Sequence, residues 1–189
     1  MMTVQEVAQV LHAKYAGETK RFSSVSTDSR TLKSGELFIA LSGQNFDGCR
    51  FVADAEEKGA VAAVIAQDGM NAYEFKPNIP LIQVNDPLLS LGQLASYWRE
   101  RFSIPIIGIT GSNGKTTVKE MLASICRHAA AGGSVENEST VLATEGNLNN
   151  EIGVPKMLLR LQENHQCAVI EMGMNHVGEI AYLTQMTKP

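Results

Sequence analysis

The stretch "IGITGSNGKTTVKEML", residues 107–122, decides how this chain is read. A short apolar run leads into Gly111 and Gly114, then Lys115, Thr116 and Thr117, then apolar residues at helical spacing. A phosphate-binding loop needs backbone N–H groups turned inward, which glycine allows by reaching dihedrals closed to other residues. It also needs a helix N-terminus whose dipole favours an anion, a lysine for the outer phosphates and a hydroxyl for Mg²⁺. All of these are present, but the spacing departs from the G-x-x-x-x-G-K-[ST] form. The position that should hold the first glycine is Ile109, so the pattern is the shorter G-x-x-G-K-[ST].

Outward from the loop, strand and helix patterns alternate. "IPIIGIT" reads as a strand and "GKTTVKEMLASICRH" as a helix, followed by the small, polar "AAAGGSVENES" as a surface loop. "TVLAT" is a strand, "GVPKMLLRL" a helix with Pro155 in its first turn, "CAVIEMG" a buried strand and "VGEIAYLTQM" a helix. Such alternation predicts a parallel sheet with crossover helices. Ligands in such sheets bind at the C-terminal strand ends, which makes Glu171, closing "CAVIE", the candidate second metal ligand. A solvated strand end is the plainer reading of the same residue.

The N-terminal half reads as a separate α/β unit. "TVQEVAQVLHAKY" predicts an amphipathic helix stopped by Gly17, and "ELFIAL", "AVAAVIA" and "PLIQV" predict buried strands. "CRFVADAEEKG" predicts a helix between the first two, and the unit ends near "VNDP", residues 84–87. "LLSLGQLASYWRERF" is a further helix, with Trp98 expected in the core. The fold class is therefore α/β: a small N-terminal α/β domain over 1–85, then a P-loop α/β domain with a mostly parallel sheet over 86–189. The alternation stops at Pro189 directly after a helix, where a further strand is due, so the chain is expected to be a fragment cut inside its second domain.

The bulk numbers agree with an ordinary globular protein of 189 residues, 44% hydrophobic and 19% charged. A formal net charge of −4 lends no support to nucleic-acid binding, which favours a basic face. No apolar run has the length of a membrane span, and the N-terminus lacks the apolar region of a signal peptide. Cys49, Cys126 and Cys167 form no CxxC pair and read as small buried hydrophobes in a reducing, cytoplasmic setting. His12, His128 and His165 show no metal-ligand spacing.

With these motifs in view, the chain is similar to the Mur ligases, the ATP-dependent amide-bond ligases of peptidoglycan synthesis. "TGSNGKTT" resembles their loop, T-G-[ST]-[NS]-G-K-[ST]-[ST], which also lacks the early glycine. Folylpolyglutamate synthases share that loop, so other stretches must choose. "STDSRTLKSGELFIALSGQNFDG", residues 26–48, resembles the uridine-binding domain of the branches that add the third residue and the terminal dipeptide. "EGNLNNEIGVP", 145–155, and "IEMGMNHVGEI", 170–180, resemble the G-N-x-N-N-x-I-G-x-P and E-[LM]-G-x-N-H-x-G-E-I stretches of the dipeptide-adding branch. Two departures stand out: Met174 replaces a smaller residue, and the polar loop near 129–139 is longer than usual.

The resemblance implies a bacterial, cytoplasmic, monomeric enzyme that uses ATP and Mg²⁺ to join D-Ala-D-Ala to UDP-MurNAc-tripeptide, with no nucleic-acid partner. It implies that Gly111, Ser112, Asn113, Gly114, Lys115, Thr116 and Thr117 bind ATP, and that Thr116 and Glu171 hold the metal. Lys115, Glu171 and His176 become the catalytic candidates. His176 has a structural role as its competing reading. Asn147, Asn149 and Asn150 become substrate ligands, with Asn150 foremost, although asparagines are also common loop formers. Thr27, Ser29 and Arg30 fall on the uridine-binding stretch, where Asp28 and Arg30 also read as a plain ion pair; Gln44, Asn45 and Phe46 follow on the next loop. The family's third domain and later metal ligands would lie beyond Pro189, so no ligase turnover is expected from this chain alone. The alternatives are the third-residue-adding sibling, a folylpolyglutamate synthase, or a P-loop nucleotide switch.

Overall fold

A computed structural model describes residues 1–15, 17–43, 46–67, 69, 76–130 and 140–189. The chain divides into two compact units, Met1–Leu94 and Ala95–Pro189. The division falls inside a helix that begins just after the boundary read near residue 85.

The first unit opens with α1, Val4–Val10. Its start is a capping box: the Thr3 N–H donates to the Glu6 carboxylate at 2.6 Å, and the Glu6 N–H donates to Thr3 Oγ1 at 3.1 Å. Losing such a cap costs about 1 kcal/mol. The helix ends well before Gly17. His12 takes the left-handed conformation, φ 51°, with its N–H on Gln9 O at 3.2 Å and the Ala13 N–H on Ala8 O at 2.9 Å. That is a Schellman closure with histidine where glycine is usual, and it is invisible to apolar periodicity.

Next come β1 (Val25–Ser26), β2 (Leu37–Ile39) and the antiparallel pair β3 (Ser42–Gly43) and β4 (Phe46–Asp47). A single 3₁₀ turn over Gly48–Phe51 leads into α2, Val52–Glu57. Then follow β5 (Ala62–Ala66) and β6 (Leu81–Val84). The main sheet is parallel throughout, in the order β1-β2-β5-β6. β2 is buried on both faces, as parallel strands are: Leu37, Phe38 and Ile39 are all 1% exposed or less. One face packs Phe38, Ala63 and Ile65 against Val52 and Ala55 of α2, with Cys49 beside them.

α3, Pro87–Arg99, carries the division between units. The second unit continues with β7 (Ile106–Ile109), α4 (Lys115–Ala130), β8 (Val141–Ala143), α5 (Gly153–Leu158), β9 (Cys167–Glu171) and α6 (Glu179–Thr187). The sheet is parallel, in the order β7-β9-β8. Ile107, Ile109, Val141, Ala143, Cys167 and Val169 form its α4 face, packing against Leu122, Ala123, Cys126 and Ala130. The β8-to-β9 connection runs back across the sheet, so right-handed crossover puts α5 on the opposite face from α4. Trp98 is at the rim of this unit, where its Nε1 donates to Leu161 O at 3.0 Å and Arg101 stacks 5.2 Å from its ring. It is only partly buried, and the expected core position is corrected accordingly. Of the polar loop expected at 129–139, Ala129 and Ala130 belong to α4, while 131–139 lie outside the described residues.

All three cysteines are free. Cys49 is buried, whereas Cys126 and Cys167 are partly buried with their Sγ atoms 3.6 Å apart. Sequence spacing gave no sign of that proximity, because α4 and β9 meet only through the fold.

Candidate functional site

The register of β7 and β9 builds the site. Ile109 pairs with Glu171, and the Met172 N–H donates to Ile109 O at 2.8 Å. The loop that leaves β7 therefore starts beside the last residue of β9. Side chains alternate faces along a strand, so Glu171 continues the Cys167–Val169 face that is turned toward α4.

In the loop itself, Gly111 has φ 151° and Gly114 φ 75°. Gly114 sits in the left-handed region, and a Cβ there would meet no atom within 4 Å, so the requirement is backbone conformation and not space. Helix α4 begins directly after it, with the Val118 N–H donating to Gly114 O at 3.0 Å. Lys115 reaches back across the loop and donates to Gly111 O at 2.8 Å. Ser112, Asn113, Thr116 and Thr117 are exposed.

Glu171 is 2% exposed. One carboxylate oxygen accepts from Thr116 Oγ1 at 3.0 Å, the other from Asn149 Nδ2 at 2.9 Å. Both donors are neutral. A buried carboxylate with only neutral donors carries a charge that a cation would offset. A carboxylate and a hydroxyl side by side suit Mg²⁺, which takes oxygen ligands and keeps several waters and phosphate oxygens in its shell. Among the described residues no cluster of three His, Cys, Asp or Glu is set to hold a metal ion, so the donor set does not resemble an all-protein cage.

Sequence reading put Asn150 foremost among the asparagines, and the structure brings Asn149 to the carboxylate. Asn150 Oδ1 accepts from the N–H groups of Ile152 (3.3 Å) and Gly153 (2.9 Å), a turn that leads into α5. Gly153 crosses the Leu148 backbone so closely that a Cβ would lie 2.4 Å from it. Asn147 is exposed, and its carbonyl accepts from the Asn149 N–H at 2.8 Å. The Gly173 N–H donates to Asn149 O at 2.7 Å, which ties this loop to the one after β9. His176 lies exposed on that second loop. Glu179 closes the loop by accepting from the Asn175 N–H at 2.7 Å, and this bond, with a second from the His176 backbone, holds its carboxyl below the usual range.

Thr144 was not singled out in the sequence. It is 2% exposed, and its Oγ1 accepts the Glu171 N–H at 2.8 Å. A lone threonine at a strand end carries no pattern that would have found it.

In the first unit, Asp28 and Arg30 form a two-pronged ion pair, Nε on Oδ1 at 2.9 Å and Nη2 on Oδ2 at 2.8 Å. Arg30 is exposed, Thr27 partly buried and Ser29 buried. Lys58 Nζ donates to the carbonyls of Ser29 at 2.7 Å and Arg30 at 3.0 Å, which fixes the turn. Gln44, Asn45 and the side chain of Phe46 lie outside the described residues.

A glycine-rich loop between a parallel strand and a helix, with a carboxylate on the adjoining strand end, is the architecture of a P-loop α/β unit. Family comparison is then specific: the Mur ligase middle domain matches residues 109–189, and the Mur ligase family catalytic domain matches residues 21–99. The chain belongs to the Mur ligase family. It is 43% identical to a UDP-N-acetylmuramoyl-tripeptide–D-alanyl-D-alanine ligase of Haemophilus influenzae, over all of this chain and 39% of that protein. The enzyme of that name from Escherichia coli is 37% identical, over all of this chain and 38% of its own length. Among solved structures, MurF of Acinetobacter baumannii superposes with a TM-score of 0.83 at 38% identity, covering 100% of this chain and 39% of that one. MurF ligase of Thermotoga maritima, solved in complex with ADP, has a TM-score of 0.68 at 29% identity, covering 88% of this chain and 35% of that one. The chain thus spans about two-fifths of the length of these relatives. Among the described residues no helix is long and apolar enough to cross a membrane.

Proposed function

We propose that this chain is the uridine-nucleotide- and ATP-binding part of a ligase that joins D-Ala-D-Ala to UDP-MurNAc-tripeptide in the bacterial cytoplasm, working as a monomer. The observation that carries the reading is the Thr116–Glu171–Asn149 constellation at the foot of the glycine loop. It occurs in a chain matched end to end by ligases of that name.

Joining a carboxylate to an amine in water is uphill, so the acid must be activated. In this reading a carboxylate oxygen of the tripeptide attacks the γ-phosphorus of ATP. The bond to the β-phosphate oxygen breaks, giving an acyl phosphate and ADP. The amine of D-Ala-D-Ala then attacks the acyl carbon, a proton leaves the nitrogen, and phosphate departs. Phosphoryl transfer of this kind is mainly positioning and charge neutralisation.

The backbone N–H groups of Gly111, Ser112, Asn113 and Gly114 cradle phosphate oxygens at the start of α4, and Thr117 completes the turn. Lys115, already at the mouth of the loop, exchanges Gly111 O for a phosphate oxygen. Thr116 and Glu171 hold Mg²⁺, which when bound offsets charge on the phosphates. Asn149 orients Glu171; Asn147, Asn150 and His176 lie on the two loops that adjoin it and face the substrate. Thr27, Ser29 and Arg30 mark the uridine end, together with Gln44, Asn45 and Phe46.

Calorimetry decides between this reading and the folate branch of the superfamily. The expected result is saturable binding of UDP-MurNAc-tripeptide and none of a folate. Binding of the folate alone would overturn the assignment.

A further inference from the structure

Lys119 is the one buried lysine among the described residues, 3% exposed. It lies one turn after Lys115 on the inner stripe of α4, in line with Ala123, Cys126 and Ala130. Burying an ammonium costs free energy unless it is paired and hydrogen-bonded, and an apolar side chain of similar volume generally stabilises as well or better. Its ion-pair partner, the Glu120 carboxylate, is at the surface with a side chain 58% exposed. The inward partner is Thr144 O at 2.9 Å.

Thr144 is where β8 leaves the sheet. Its N–H makes the last bond to β9, on Val169 O at 3.0 Å, and its Oγ1 takes the Glu171 N–H at 2.8 Å. The carboxylate of Glu171 returns to α4 through Thr116 at 3.0 Å. A closed ring results: Lys119 to Thr144, Thr144 to Glu171, Glu171 to Thr116, and one helical turn back to Lys119. The loop that begins at Thr144 also delivers Asn149 to the other carboxylate oxygen. Beside the β7 register, the hydroxyl on the Glu171 carboxylate is on α4 itself, and the hydroxyl on its N–H belongs to the residue whose carbonyl Lys119 holds.

We propose that Lys119 is a positioning residue for the metal-binding carboxylate, acting through Thr144 to fix the exit of β8 and the backbone of Glu171. This deepens the reading of Glu171 as a Mg²⁺ ligand and rests on it. Outer partners that orient a ligand typically change metal affinity by about 10–100-fold when removed. The loss belongs to the metal step and not to nucleotide binding as such.

Mn²⁺ titration followed by electron paramagnetic resonance reads that step without turnover. With ADP saturating, Lys119→Met and Thr144→Val should each weaken Mn²⁺ binding by about tenfold or more. Lys119→Arg and Thr144→Ser should recover most of it, and metal-free ADP affinity should stay within about twofold of the unaltered chain. Thr144→Val carries the test if Lys119→Met fails to fold, as judged by circular dichroism. If Glu171→Gln weakens Mn²⁺ binding while Lys119→Met and Thr144→Val do not, the role of Lys119 is overturned and the metal site stands. Equal losses in metal-free ADP affinity and in Mn²⁺ affinity would make Lys119 merely structural. If Glu171→Gln has no effect, the metal site falls and Lys119 with it.

Discussion

The turn at 27–30 in the first unit and the loop at 111–116 in the second handle charge in opposite ways. Asp28 and Arg30 neutralise each other in the open, with Lys58 bracing the backbone beneath them. Glu171 sits buried on a hydroxyl and an amide. The first arrangement is complete in itself: each charge has its partner, and the backbone beneath is held by Lys58. The second leaves a buried carboxylate with two neutral donors, beside the start of α4. The difference teaches that a visible charged pair is no better a pointer to an incomplete site than a carboxylate held by neutral groups.

The strongest way to break this contrast is at Lys115. Lys115→Ala in the intact ligase should lower ATP turnover by about 10²–10³-fold, the loss typical of one preorganised charge-stabilising donor. Its circular dichroism spectrum should be unchanged, and near-normal rates would remove the loop from the mechanism. Next in size is a pair of glycines, one per unit. Gly59 and Gly114 have φ 86° and 75°, so alanine at either should cost about 1–2 kcal/mol in a denaturant titration. Gly59→Ala should cost more, because its Cβ would lie 2.6 Å from Ser34 Oγ while the Gly114 site is open.

A smaller effect should appear with pH. Burial, with Asp47 nearby, pushes the Cys49 thiol up to about 11. Burial, with the Cys126 thiol against it, does the same to Cys167, also to about 11. The unfolded chain ionises these thiols first, near the ordinary value of 9.0, and so binds fewer protons than the folded chain. Stability should therefore fall as pH rises from about 9 toward about 11, and Cys49→Ala together with Cys167→Ala should flatten that slope. The smallest effect belongs to the exposed pair: Arg30→Ala should leave the melting temperature unchanged within error. A clear drop would mean that the turn depends on it.

Long, periodic segments were legible in the sequence. β5, β7, β9, α3 and α4 follow from apolar runs or helical spacing, and the parallel alternation follows from their order. What escaped is set by other interactions. β1 and the β3–β4 pair are two-residue strands, too short for alternation to register. α1 stops early because His12 adopts a left-handed conformation, a cost that side-chain periodicity does not encode. In the site, the glycine, lysine and hydroxyl stand out in the sequence by the chemistry that phosphate binding demands. Glu171 stands out because it closes a strand, and the structure sets it beside the start of the loop. Asn149 and Asn150 are chemically identical, and only the path of the chain past Gly153 decides which turns inward. Lys119 did leave a trace: a lysine on the stripe of Ala123 and Cys126 breaks the amphipathic pattern.

The strand orders of the two sheets have a consequence for synthesis. In the main sheet of the first unit each strand pairs with the strand of that sheet made before it, β1 to β2 to β5 to β6, so the sheet can grow as the chain emerges. In the second, β9 is made after β7 and β8 and sits between them. Until it emerges, Ile106–Ile109 and Val141–Ala143 present apolar strands with no partner in the sheet, the condition in which nascent chains aggregate or recruit chaperones. A ribosome that stalls before residue 171 would hold a glycine loop and its helix, but not the strand that brings them their carboxylate.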